Sequence, residues 1–198
     1  MERLDVLVTL LLEWQRTRNL IANSTIPQVW TRHIADSLQL LALAPAAKTW
    51  VDLGSGAGFP GLVLACALTE KPGAKVHLVE STRKKCDFLQ AVTDAAKLPA
   101  EVHCERIEDF IPAFPRVADV VTARALAPMP KLLELAYPLL KKGAKGLFLK
   151  GQDVAAELTE ASKYWTIQYS LVPSRTDVRG RIVAIAAHQD TGIRAVVR

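Results

Sequence analysis

Cysteine is scarce. The chain of 198 residues carries Cys66, Cys86 and Cys104, and no two of them form a C-x-x-C pair. That excludes a disulfide framework and a thiolate-clamped zinc site, and the three read as reduced, mostly buried thiols of a cytosolic protein. The four histidines are scattered, so no metal site is expected. No apolar run approaches the roughly 18 residues of a membrane span. With early acids, Glu2 and Asp5, and a polar break at Glu13, no secretory leader is expected in this stretch. Internal repeats, low-complexity tracts and interdomain linkers are missing too. The expectation is one domain over residues 1–198, cytoplasmic and monomeric, with no membrane partner.

What is present is ordinary for a globular chain: 50% of residues are apolar and 23% charged. The formal charge is +5 (25 basic minus 20 acidic residues), which suits a polyanionic partner without requiring one.

Between residues 3 and 20, Leu4, Leu7, Val8, Leu11, Leu12, Trp14 and Leu20 recur at roughly helical spacing. Asn23-Ser24-Thr25 predicts a turn and helix cap, with Pro27 just inside a second helix, 27–44. A helical cap, 1–45, thus precedes a core, 46–198. From Thr49 strands and helices alternate. Strands are predicted at 49–53, 75–80, 100–104, 118–123 and 144–150, and helices at 61–69, 82–97, 128–140 and 153–163. A short turn or helix falls at 106–111. Two last strands, 164–172 and 181–187, have only a polar loop, 173–180, between them and should pair as a hairpin. The expected class is α/β: a doubly wound, Rossmann-like, mostly parallel seven-stranded sheet with the final strand reversed.

The organising stretch is T-W-V-D-L-G-S-G-A-G-F-P-G, Thr49 to Gly61. A buried strand carrying Asp52 breaks into glycines at 54, 56 and 58, and a helix follows. Glycines permit the tight turn and close ligand approach, and the helix aims free N–H groups into the same space. The dinucleotide fingerprint G-x-G-x-x-G wants its third glycine at 59, where Phe59 stands. D-x-G-x-G-x-G is closer to the motif for S-adenosylmethionine, which has no pyrophosphate.

Other candidates follow from position. Glu80 ends the second strand, 26 residues after Gly54, where an acid can accept ribose hydroxyls. Ile107 and Glu108, just after the third strand, can frame an adenine ring; Phe59 can flank the cofactor, with core packing as the alternative. Arg124, at the end of the fourth strand, can hold a carboxylate or phosphate; a salt bridge to Asp119 is the rival reading. Arg32 and His33 on the cap, Arg83, Lys84 and Lys85 at the start of a helix, and Lys150 at the end of a strand are candidates for a basic rim facing RNA phosphates. Asp36 and Ser37 read as a helix cap at a break.

Taken together, W-x-x-x-x-N-L (Trp14 to Leu20), R-H-I-x-D-S-L (Arg32 to Leu38), D-L-G-S-G-A-G-F-P-G (Asp52 to Gly61), L-V-E-S-x-x-K-K-x-x-F-L (Leu78 to Leu89), R-x-E (Arg106 to Glu108), R-A (Arg124, Ala125) and F-L-K-G (Phe148 to Gly151) resemble one family. It is the bacterial small-subunit ribosomal RNA guanine-N7 methyltransferase family, RsmG or GidB, and the resemblance spans about residues 7 to 186. It implies a class I methyltransferase fold and methyl transfer from S-adenosylmethionine to N7 of guanine 527, in the 530 loop of 16S rRNA. Carried over residue by residue, its cofactor contacts fall on Gly54, Phe59, Ile107, Glu108 and Arg124; Gly56 and Glu80 join them on the bottom-up reading. The chain departs from the family at Gln15, usually Asn, at Val63, usually Pro, and at Ala187-His188, where a lysine is common. It also begins close to the first motif, so part of the family's leading helix is expected to be absent.

Guanine N7 has a lone pair and no proton to lose, so direct in-line displacement needs no general base, in keeping with the lack of a nucleophile–base motif. Arg124 and Glu108 are positioning candidates, and Glu108 or Asp36 could favour the developing positive charge. Three rival readings are each opposed by particular residues. An NAD-type oxidoreductase is opposed by the misplaced third glycine, and a non-catalytic RNA-binding protein by the intact glycine loop and Glu80. A small-molecule methyltransferase is opposed by the cap motif.

Overall fold

The computed structural model describes residues 2–186 and 194–195. Helix α1 (Glu2–Gln15) is followed by a 3₁₀ turn, Asn23–Gln28, a π-helical turn, Val29–Ala35, and α2 (Asp36–Leu43). The core then alternates through β1 (Thr49–Leu53), α3 (Gly61–Leu68), β2 (Lys75–Val79), α4 (Arg83–Ala95), β3 (Ala100–His103), α5 (Ile107–Ala113) and β4 (Val120–Arg124). It continues with α6 (Met129–Lys141), β5 (Lys145–Lys150), α7 (Val154–Ala161), β6 (Trp165–Thr166), β7 (Tyr169–Pro173), β8 (Arg181–Ile185) and β9 (Arg194–Ala195).

The main sheet has seven strands in the order β3-β2-β1-β4-β5-β8-β7. β1 to β5 are parallel, and β8 runs antiparallel to both β5 and β7. The expected doubly wound sheet with a reversed last strand is what forms. Because successive strand residues point to opposite faces, β1 feeds two cores. Trp50 joins Leu62, Leu64, Phe88 and the cap residues Leu7, Leu11 and Leu40 on one face; Val51 and Leu53 join Met129, Leu133 and Phe148 on the other. β1 is nearly fully buried because helices cover both faces. The strand order reverses beside β1, where β1 and β4 are neighbours, and a ligand crevice belongs at their carboxyl ends.

Three local expectations need correction. The predicted helix 27–44 is three pieces: the wide π turn brings Val29, His33 and Ile34 all inward before Asp36 opens α2. The first helix ends at Gln15 rather than at 20, because the Gln15 side chain captures the turn beyond it. Its Oε1 accepts from the N–H groups of Leu20 (2.9 Å) and Ile21 (3.1 Å), and its Nε2 donates to the Ile21 carbonyl (2.9 Å). The predicted strand 164–172 is broken: Trp165–Thr166 pairs with Arg194–Ala195, and Tyr169–Pro173 joins the main sheet. Val63 is fully buried in α3; Ala187-His188 lies outside the described residues. No helix among the described residues is long and apolar enough to cross a membrane.

Candidate active site

The chain leaves β1 through Gly54, Gly56 and Gly58, all in the left-handed region at φ +67°, +56° and +85°. They differ in what surrounds them. A Cβ on Gly54 would lie 2.5 Å from Leu126 Cδ1, whereas one on Gly56 would meet only the Gly54 carbonyl, at 3.8 Å. Gly56 therefore leaves its space open to the cleft. At Gly61 the first turn of α3 closes onto Asp52, and the Gly61 N–H donates to Asp52 Oδ2 at 3.1 Å. The Thr122 hydroxyl donates to Asp52 Oδ1 at 3.0 Å. Burial pushes this carboxyl up from 3.8 to about 7, against the hydrogen bonds that favour its ionised form.

Glu80, at the end of β2, braces the loop from the other side. Its Oε2 accepts the Gly56 N–H at 3.0 Å and its Oε1 the Thr82 N–H at 2.7 Å. Each oxygen keeps a second lone pair for a ligand. Together these elements line a cleft of 660 Å³, closed by Ile107, Glu108 and the β4 end, Arg124 to Leu126. Ile107 is buried; Glu108 is half-exposed, with Arg106 at 3.7 Å. Phe59 packs against the cap, its ring stacked on His33.

Arg124 does not pair with Asp119, which instead accepts the N–H groups of Lys48 and Thr49 at the start of β1, at 2.7 and 2.8 Å. Its nearest acid is Asp36, with Arg124 Nη1 and Asp36 Oδ2 3.8 Å apart.

The expected basic rim does not assemble as one surface. His33 is 7% exposed, and burial lowers its pKa to about 4, so it is neutral near pH 7. Lys150 turns inward, with Nζ 2.5 Å from Glu157 Oε2 and donating to the Ala127 carbonyl at 2.9 Å. Arg32 is paired with Asp177 at 2.6 Å. That leaves Arg83, Lys84 and Lys85 at the start of α4: Arg83 is exposed with Asp87 3.0 Å away, and Lys85 lines the cleft.

The GidB family model, rRNA small subunit methyltransferase G, matches residues 1–181. The ribosomal RNA small subunit methyltransferase G of Bradyrhizobium sp. strain BTAi1 is 60% identical over 184 residues, 93% of this chain and 83% of that protein. The same-named protein of Nitrobacter hamburgensis is 57% identical over 183 residues, 92% of this chain and 70% of that one. The chain belongs to the rRNA small subunit methyltransferase G family. Solved structures agree on the fold. The O-methyltransferase TomG of Streptomyces achromogenes, in complex with SAM, matches with a TM-score of 0.64 at 18% identity, over 95% of this chain and 91% of that one. An O-methyltransferase from Bacillus cereus, in complex with SAH, matches with a TM-score of 0.64 at 16% identity, over 91% of this chain and 90% of that one.

Family membership makes the chain a methyltransferase that uses S-adenosylmethionine, and the cleft fits that cofactor. The open face of Gly56 allows close approach, Glu80 has free lone pairs, and Ile107 supplies an apolar wall. The start of α3 does not aim free N–H groups into the cleft as the sequence suggested: the Gly61 N–H donates to Asp52 Oδ2 and the Leu62 N–H to the Gly58 carbonyl.

Sequence reading missed two groupings. Asp36 is not merely a cap: it gathers Ser174 and Thr176 from the β7–β8 loop. His77, Glu101 and His103 meet because β2 and β3 pair His77 with Glu101, and His103 follows on the same face. His77 Nδ1 and His103 Nε2 are 3.0 Å apart, the distance of a direct hydrogen bond between neutral rings.

Proposed function

We propose that this chain, an rRNA methyltransferase, binds S-adenosylmethionine between the glycine loop and Arg124 and methylates N7 of one guanine of the 530 loop of 16S rRNA. The supporting observation is the 660 Å³ cleft at the carboxyl ends of β1, β2 and β4, bounded by family-motif residues on three elements. Gly54 and Gly56 shape the floor, Glu80 faces the ribose, and Ile107 with Glu108 frames the adenine. Phe59 flanks the site, and Arg124 closes its far end. When bound, the cofactor supplies an electrophilic methyl: the N7 lone pair forms the new C–N bond, the C–S pair stays on sulfur, and no proton moves.

The residues of this chain therefore need only position. Holding the two reactants in line is worth up to roughly 7–11 kcal/mol in well-oriented systems. Asp52 fixes the α3 start, Glu80 ties the loop to β2, and the His33–Phe59 stack holds the cap over the cleft. Residues 1–198 act as one methyltransferase domain, a cytoplasmic monomer with the small ribosomal subunit as partner.

The test is tritiated methyl transfer from S-adenosylmethionine to small subunits from a strain lacking the endogenous activity, with the modified base mapped. Label on N7 of a single 530-loop guanine is expected. Absence of label with intact cofactor binding would overturn the proposal.

A further inference from the structure

Beyond Arg124 lies a second cavity, of 340 Å³, which shares only Arg124 and Ala125 with the cofactor cleft. The cap supplies one wall through Asp36, the end of β5 another, and the β7–β8 loop a third through Ser174 and Thr176. Its volume sits at the lower end of the roughly 300–1,000 Å³ typical of ligand sites, room for one extruded nucleotide.

Its charged groups are satisfied in pairs, with one exception. Asp177 holds Arg32, Glu157 holds Lys150, and the carbonyls of Val178 and Gly180 accept from Arg181. The exception is Asp36 with Arg124. Asp36 Oδ1 is saturated, accepting from Gln39 (2.7 Å), Thr176 (2.8 Å) and Ser174 (3.0 Å). Asp36 Oδ2 accepts from no donor among the described residues, and Arg124 Nη1 stops 3.8 Å away, beyond hydrogen-bond reach. Arg124 Nη1 is itself buried and has no acceptor among the described residues. Arg124 Nη1 is thus a buried donor left unmet, which is costly unless a ligand meets it, and the oxygen beside it belongs to a carboxylate that is partly exposed and lines the cavity.

That ligand must present an acceptor beside a donor. The Watson–Crick edge of guanine does so, with O6 next to N1–H and then the 2-amino group. Adenine and cytosine reverse the order and would set like against like. Uracil shares the order but has neither the 2-amino group nor N7.

We propose that the smaller cavity receives the target guanine, with Arg124 Nη1 donating to O6 and Asp36 Oδ2 accepting from N1–H and the 2-amino group. This rests on the proposed function and names its specificity-determining residues. The order around the ring supports it: 2-amino, N1–H, O6, N7. Asp36 lines the smaller cavity alone, while Arg124 lines both, so that sequence of atoms runs from Asp36 past Arg124 and delivers N7 to the cofactor cleft. N7 itself stays unbonded. Arg124 has five N–H donors, so a bond to O6 leaves others for the cofactor side. As N7 takes the methyl, the ring becomes cationic and N1–H more acidic. Its bond to Asp36 then strengthens in the transition state more than in the ground state.

The test uses Asp36→Asn and small subunits reconstituted with guanosine or inosine, which lacks the 2-amino group, at the target position. The amide keeps an oxygen for Gln39, Ser174 and Thr176 and turns Oδ2 into a donor. The unaltered protein is expected to prefer guanosine by tenfold or more in kcat/KM. Asp36→Asn is expected to lose at least tenfold on guanosine, to discriminate less than threefold, and to bind S-adenosylmethionine within twofold of normal by calorimetry. Equal rates of the unaltered protein on both bases would overturn the assignment without use of the variant. So would preserved discrimination in Asp36→Asn, or loss of cofactor affinity along with activity. No transfer by the unaltered protein to any small subunit would instead overturn the proposed function, and the assignment with it.

Discussion

His33 and Phe59 stack with ring centroids 4.7 Å apart and planes 23° from parallel, joining the helical cap to the glycine loop. His33 Nε2 lies 2.9 Å from Thr25 Oγ1. Burial, reinforced by Arg124 and Arg32, lowers the pKa of this imidazole from 6.5 to about 4. Between those values the unfolded chain carries a proton that the folded chain refuses, so stability falls as pH drops from about 6.5 toward 4. His77 shifts the same way, to about 4, so the His33 share must be isolated by substitution. His33→Phe keeps an aromatic face against Phe59. Its urea midpoint is expected to fall less than that of the unaltered protein between pH 7 and pH 5, by about 1–2 kcal/mol of stability.

Asp52 has the opposite sign. Its folded value, about 7, lies above the unfolded 3.8, so its contribution is fully present below pH 3.8 and is lost as pH rises through about 7. Asp52→Asn removes that dependence. The stability of the variant relative to the unaltered protein should therefore rise between pH 5 and pH 7.5 and level off above, as read by urea unfolding at each pH.

Two glycines separate loop geometry from ligand approach. Gly54→Ala drives a Cβ to 2.5 Å from Leu126 at a φ of +67°, so it should destabilise the fold by several kcal/mol. Gly56→Ala adds only the backbone penalty, about 1–2 kcal/mol, because its Cβ meets open space. Its cofactor dissociation constant, measured by calorimetry below the unfolding range, is nonetheless expected to rise tenfold or more. An unchanged value would show that the cofactor does not approach Gly56.

Of the cations expected to form a basic rim, Arg83 and Lys84 at the start of α4 are the ones left exposed. Arg83→Ala with Lys84→Ala should weaken binding to small subunits and reduce the slope of log K against log salt by roughly 1–2, one contact for each charge. Cofactor affinity should not move. A slope equal to that of the unaltered protein would remove these two residues from the RNA interface.

Much of this was legible because it is local. The alternation from Thr49 onward wrote out the sheet, and the glycine spacing placed the cleft within a few residues of one another. Glu80 fell where a strand must end. The losses came from contacts that no local pattern encodes. Asp36 reads as a cap, but its partners Ser174 and Thr176 lie 138 and 140 residues away and meet it only once β8 has turned back. Lys150 reads as a surface charge until α7 delivers Glu157 to it. His33 reads as basic until the π turn buries it on Phe59. Gln15 reads as a departure from family habit, yet its amide makes the very bonds that end α1.

The β7–β8 loop has a bearing on how the enzyme comes into being. Residues 54 to 126 hold every strand end and loop proposed to touch the cofactor, and they leave the ribosome before Ser174 and Thr176 do. In chain order, then, every residue proposed to touch the cofactor is made before the last wall of the site proposed to choose a base. A chain cut short before Ser174 would keep all the residues proposed to hold the methyl donor and lose the wall that gathers Asp36.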